Sequence, residues 1–246
     1  MKTFISKLKV AATVAVALVA FGLRADVTPF GIFNSGMVLP RNVPVNVWGT
    51  AGAGESVSVS FAGQSVATTA DASGKWSVQL AAMDANKTGQ TMTIAGDNVI
   101  ALTDILIGDV WLCAGQSNMA MQYNDDNDVI RPYLPEADGY STIRSINGKN
   151  NVEKFAAQSP WVVAASNTLG KITLAGYFFA RRLVKELDVP IGLVDTSVPG
   201  VGIEAFLGEL NIAYNRSIAP FGFKGALWYQ GESNCGDNEA YRFKMT

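Results

Sequence analysis

The sequence predicts an α/β protein in two parts: a small all-β sandwich over residues 26–104, then an α/β domain with a parallel sheet over residues 105–246. Three observations predict it. Before Asp104, apolar residues recur at every second position and turn-forming residues separate the runs. From Ile105 onward, apolar strand-like runs alternate with a helical stripe. Two of these later runs also stop at a glycine followed by a polar cluster, the kind of strand end at which open α/β sheets place their ligands.

At 246 residues the chain can bury a sizeable core. Met1 to Ala25 reads as a secretory signal, with Lys2, Lys7 and Lys9 as the basic head, Val10 to Leu23 as the apolar stretch and Ala25 before the cut. The apolar stretch is shorter than the roughly 20 residues of a membrane span, so cleavage and a periplasmic or extracellular destination are expected. Cleavage would remove four basic residues and no acidic one, taking the net charge from −2 to −6. Nucleic acid and anionic membranes both need a cationic footprint, so neither is expected as a partner.

In the first part, Val57, Val59 and Phe61 alternate with serines, and Trp76, Val78 and Leu80 alternate with Ser77 and Gln79; Met92 and Ile94 continue the pattern. Turns are expected at residues 51–54, 62–64, 71–74 and 87–89, all glycine-containing. A sugar-binding role would use Trp48 or Trp76 as a stacking platform, but their alternation with apolar neighbours predicts core packing for both.

In the second part, Ile105 to Cys113 reads as the first strand and Ser141 to Ile146 as a short one. Asp125, Asp126 and Asp128 cluster between them, without the glycine and terminal glutamate of a calcium loop, so a solvated loop is expected. A helix is expected from about Thr173 to Leu187, with Thr173 as its cap, Ile172, Gly176, Phe179, Leu183 and Leu187 as its stripe, and Pro190 ending it. Val189 to Thr196 is the next strand, leading to Gly200. The chain closes on Tyr241 to Thr246, the opening turns of a helix. Cys113 and Cys235 could pair in an exported protein, but Cys113 should be a buried strand residue, and buried cysteines are common without a bond.

Two blocks carry the chemistry. Gly115-Gln116-Ser117-Asn118-Met119 ends the first strand, and Trp228-Tyr229-Gln230-Gly231-Glu232-Ser233-Asn234 ends the last. Together they resemble the signature blocks of the bacterial sialate O-acetylesterases, a carbohydrate-esterase family of the SGNH (GDSL-like) hydrolases. The resemblance implies an incomplete, flavodoxin-like three-layer α/β/α hydrolase domain, missing its C-terminal part. It implies hydrolysis of O-acetyl esters on sialic acid or related glycans, with an acetylated carbohydrate as partner and no metal or cofactor. It makes Ser117 the nucleophile, and the backbone N–H groups of Ser117 and Gly200 and the Gln230 side-chain amide the oxyanion donors. Glu232 is left to orient a base or brace its loop, and Asn118 and Asn234 to hold turns, with Asn234 a weaker oxyanion donor. Around Gly200 the chain departs from the family, with Pro199 for a glycine, Val201 for a threonine and Phe206 for a tryptophan.

The chain contains no histidine. A serine hydroxyl needs a base of suitable pKa, and an ordinary carboxylate is too acidic for the task. The family supplies its base from an Asp-x-x-His segment absent from these residues. Two readings follow: part of a carbohydrate O-acetylesterase, inactive on its own, or a glycan-binding relative that kept the pocket and lost the base. A structural cell-surface β-protein would not explain two polar clusters at strand ends.

Overall fold

The computed structural model describes residues 25–123, 130–148, 160–207 and 217–244. Twelve strands are present among them: β1 (Thr28–Pro29), β2 (Val38–Pro40), β3 (Val45–Thr50), β4 (Ser56–Phe61), β5 (Gln64–Thr69), β6 (Lys75–Leu80), β7 (Asn86–Ala95), β8 (Val99–Gly115), β9 (Ile143–Asn147), β10 (Val162–Val163), β11 (Ile191–Asp195) and β12 (Gly225–Tyr229). The helices are α1 (Ser117–Ala120), α2 (Leu134–Ala137), α3 (Leu174–Leu187), α4 (Glu204–Leu207) and α5 (Glu239–Lys244).

The first part is a sandwich. One sheet has the order β1-β3-β6, and the antiparallel β5-β4-β7 lies across from it. The alternation works as expected: Val57, Val59, Phe61, Trp76, Val78, Leu80, Met92 and Ile94 are all buried. Ala62 and Gly63 both adopt positive φ between β4 and β5, which is what a tight two-residue hairpin requires. Two expectations change. Residues 87–89 are not a turn but belong to β7, whose pairing with β8 slips between Asn86 and Met92. Trp76 is core, whereas Trp48 is only half-buried, because its register partner Ser77 puts it on the face opposite Trp76.

The long strand β8 connects the two parts. Its first half pairs with β7 and β2, and its second half is the centre of a parallel sheet ordered β9-β11-β8-β12, with β10 antiparallel at the edge. The strand expected over Ile105–Cys113 is therefore longer at both ends, and the expected 104/105 boundary falls inside it. At that point Asp104 has φ +56 and three residues of β8 span two of β7, a bulge that bends the strand into the second sheet. Arg144 on β9 fastens the bend: its guanidinium donates to Asp104 at 2.6 Å and to the Gly36 carbonyl at 3.4 Å. Arg41 holds Asp109 through two bonds of 2.8 and 2.9 Å.

Strand alternation gives the parallel sheet two apolar faces. Cys113, Ile143, Ile191 and Leu193 face a core shared with Tyr177 and Ala180 of α3. Val110, Ile146 and Val194 join Trp161, Ile218 and Phe221 in a core continuous with the sandwich. Thr173 caps α3 as expected, its hydroxyl accepting from Gly176 N at 3.5 Å. The stripe is rotated, however: Leu174, Gly176, Tyr177 and Ala180 are buried, while Leu187 is exposed. Gly176 allows this, because a Cβ there would press on Cys113 Sγ and Leu193. Among the described residues, no helix is long and apolar enough to cross a membrane.

Candidate active site at the tips of two parallel strands

Strands β8 and β12 run parallel with Tyr229 opposite Gly115, so the two polar blocks leave the sheet side by side. Gly115 has φ +139, and a Cβ on it would lie 2.1 Å from the Tyr229 carbonyl oxygen. Glycine is required here for both reasons, and the close approach lets Gln116 N donate to that same oxygen at 2.9 Å. The chain then turns into α1, with Ser117 exposed at its first position and Met119 buried beneath. Thr173 Oγ1 donates to the Met119 carbonyl at 2.5 Å, tying this turn to the start of α3.

Gln116 joins the two blocks. Its side chain is buried, and its Oε1 accepts from Gln230 Nε2 at 2.9 Å, Ser233 N at 3.1 Å and Gly231 N at 3.3 Å. Sequence reasoning assigned Gln116 no role. The signal available was a glutamine at the end of a buried strand, where an unpaired amide would be costly.

The third component is the loop after β11. Thr196 N and Val198 N donate to the carbonyls of Cys113 and Gly115, each at 2.8 Å, so the loop follows β8 to its tip. Buried Asp195 folds it further, its Oδ1 accepting from Ser197 N at 2.9 Å and Ser197 Oγ at 2.5 Å. Pro199 and Gly200 then form a turn in which Gly200 has φ +76 and open space around it. Proline followed by a positive-φ glycine is a type II pattern, so the substitution of Pro199 is accommodated by turn chemistry. Among the described residues, neither Ser117 N nor Gly200 N has a hydrogen-bond partner.

Gln230 differs from expectation. Its amide nitrogen, anticipated as an oxyanion donor, donates to Gln116 Oε1 at 2.9 Å, Asn234 Oδ1 at 2.7 Å and, weakly, to the Val201 carbonyl at 3.3 Å. Tyr241 on α5 holds the other end of the amide, its hydroxyl donating to Gln230 Oε1 at 2.6 Å. With two protons and two short bonds, the NH2 group is occupied in joining the blocks. Asn234 is fully engaged as well: Oδ1 also accepts from Ile203 N at 2.8 Å, and Nδ2 donates to Asp237 at 2.8 Å and Glu204 at 3.0 Å. Glu232 is exposed and accepts from the Asn118 side chain, bridging the two blocks at the surface.

Lys244 completes the outer support by binding Asp237 at 2.7 Å and Glu204. The Lys244 and Asn234 hydrogen bonds lower the Glu204 carboxyl to about 2. Cys113 and Cys235 are both free, and burial raises the Cys113 thiol well above its ordinary range, so it is an inert strand residue. Among the described residues, no group of His, Cys, Asp and Glu side chains is arranged to hold a metal; Asp125, Asp126 and Asp128 lie outside them.

A family model described as carbohydrate esterase, sialic acid-specific acetylesterase, matches residues 107–246. The human sialate O-acetylesterase is 30% identical to this chain over 55% of its length and 33% of the relative's. The rat enzyme of the same name is 29% identical over 65% of this chain and 33% of its own. The chain thus spans about a third of the length of these curated relatives. A carbohydrate acetylesterase from Xanthomonas citri has a similar fold, with a TM-score of 0.76 at 29% identity over 89% of this chain and 57% of that one.

Proposed function

Because the chain belongs to the sialic acid-specific acetylesterase family of carbohydrate esterases, we propose that it binds O-acetyl esters of sialic acid or related glycans and presents Ser117 as the nucleophile. The carrying observation is the junction of β8 and β12, which leaves Ser117 exposed at the strand tip with its own backbone N–H unpartnered, while the loop that carries Gly200 is bonded to Gly115 through Val198 N. In this reading Ser117 Oγ attacks the acetyl carbonyl, and its proton passes to a base. The N–H groups of Ser117 and Gly200 receive the developing oxyanion, each contributing about 10²–10³ in rate. The sugar oxygen leaves with a proton, and water then hydrolyses the acetyl-serine. Gln230, Asn234 and Gln116 keep the surrounding loops in register, and Glu232 braces Asn118. By the same reading the chain acts outside the cytoplasm, after removal of Met1–Ala25; N-terminal sequencing of exported protein tests this.

The base is the missing part, since none of the 246 residues is a histidine. Turnover by this chain alone is therefore expected near the residual level of a serine hydrolase lacking its imidazole. That same observation favours a second reading, a binding protein for acetylated glycans. The discriminating measurement is acetate release from O-acetylated sialic acid with and without added imidazole, using Ser117→Ala as control. Imidazole-dependent release confined to the wild type supports the esterase. Saturable binding with no Ser117-dependent release supports the second reading, and equal release by both proteins removes Ser117 from the mechanism.

A further inference from the structure

The β-sandwich carries a groove of about 690 Å³, none of whose lining residues belongs to the Ser117 site. This volume lies within the range of small-molecule sites. Its floor is the outer face of the β1-β3-β6 sheet. Cross-strand pairs Thr28↔Thr50, Trp48↔Ser77 and Thr50↔Lys75 place these five residues on one side, opposite the buried Val47, Trp76 and Val78. Half-buried Trp48 stacks on Phe30, with ring centroids 5.4 Å apart and planes 25° from parallel. The two rings give the groove an apolar wall.

The polar groups around that wall are mostly hydroxyls. Among the described residues, the Thr50 and Ser77 hydroxyls have no protein hydrogen-bond partner, and both residues are exposed. The groove's carboxylate, Asp71, is turned into its own loop, accepting from Ser73 N and Oγ at 2.7 Å and Lys75 N at 3.0 Å. All three bonds use Oδ1 and Asp71 stays exposed, so the groove carries one acid and one base, Asp71 and Lys75. One cation is too little for a polyanion, and a purely apolar ligand would leave the hydroxyls unused. A flat aromatic wall beside unpartnered hydroxyls matches a ligand with C–H faces and hydroxyl edges.

We propose that this groove binds a neutral oligosaccharide, stacking a sugar ring on the Trp48–Phe30 wall and hydrogen-bonding its hydroxyls to Thr50 and Ser77. The site is separate from Ser117 and stands or falls independently of the esterase reading. In an exported carbohydrate-active chain it would hold the glycan that bears the ester.

The test uses the full chain and defined probes. Native electrophoresis in gels containing soluble xylan or hydroxyethylcellulose reads retardation, and tryptophan fluorescence titrated with xylohexaose and cellohexaose reads affinity. Trp48 also packs on Phe33, with centroids 4.8 Å apart, so the diagnostic variant is Thr50→Val/Ser77→Ala, which leaves the aromatic packing intact. Expected are retardation by at least one polysaccharide, a saturable fluorescence change, and about tenfold weaker binding in the double variant, the loss of two ordinary hydrogen bonds. Ser117→Ala should bind as the wild type does. Failure of the wild type to bind any probe would overturn the proposal, as would undiminished binding by Thr50→Val/Ser77→Ala or loss of binding in Ser117→Ala.

Discussion

Gly115→Ala tests the junction of the two strands most directly. The added Cβ would lie 2.1 Å from the Tyr229 carbonyl oxygen, a backbone atom that also accepts from Gln116 N. Nothing flexible can yield there, so β12 must retreat from β8. Holding a non-glycine residue at φ +139 costs about 1–3 kcal/mol, and losing the Gln116–Tyr229 bond adds about 1 kcal/mol. The expected loss is about 2–4 kcal/mol. Gly200→Ala is the internal control: its φ is +76 but nothing lies within 4 Å of the new Cβ, leaving backbone strain of about 1–2 kcal/mol. Urea unfolding of both variants, followed by tryptophan fluorescence, gives the comparison through the midpoints. If Gly115→Ala proved no less stable than Gly200→Ala, the close approach of the two strand tips would be refuted, and the proposed site with it.

Three further outcomes are expected. Gln116→Met keeps the side chain's length but removes the acceptor of three donors; two of these are backbone groups that water can reach in part, so the loss should be about 2 kcal/mol, with faster amide exchange at Gly231 and Ser233. Arg144 is buried and Asp104 about half exposed, so Asp104→Asn, which leaves a buried guanidinium without its carboxylate, should destabilise by about 2–3 kcal/mol and Arg144→Met by less; the reverse order in urea melts would contradict this. Glu204 and Asp237 both have lowered folded-state pKa values, caused by Lys244 and then Asn234. The unfolded chain therefore binds their protons first, and the support of α5 is complete above about pH 4.5 and lost as pH falls toward about 2. Amide exchange in residues 239–244, referenced to α3, should accelerate through that window; a flat ratio would count against the latch.

Much of this architecture is local enough to be read from sequence. A period of two put Val57, Val59 and Phe61 on one face, and Thr173 and Pro190 bracketed a helix that the structure runs from Leu174 to Leu187. The two polar blocks lie at strand ends because an apolar run stops at Gly115 and another at Tyr229. What escaped is what depends on partners far along the chain. The buried face of α3 is set by where Gly176 can approach Cys113, which periodicity within the helix cannot reveal. Likewise, the Gln230 amide is directed by Gln116, Asn234 and Tyr241, and no local pattern distinguishes a glutamine aimed at substrate from one that joins two loops. The length of β8 was hidden by the polar residues Thr103 and Asp104, which read as a break and prove to be a bulge.

The unbroken course of β8 from Val99 to Gly115 has an engineering consequence. A graft that exchanges the amino-terminal half at residue 104 would join two sequences inside one strand, the strand on which the turn carrying Ser117 is mounted. A swap that takes the whole strand from one donor avoids that join, and any pull applied to the sandwich will be felt at Ser117 along a single peptide track.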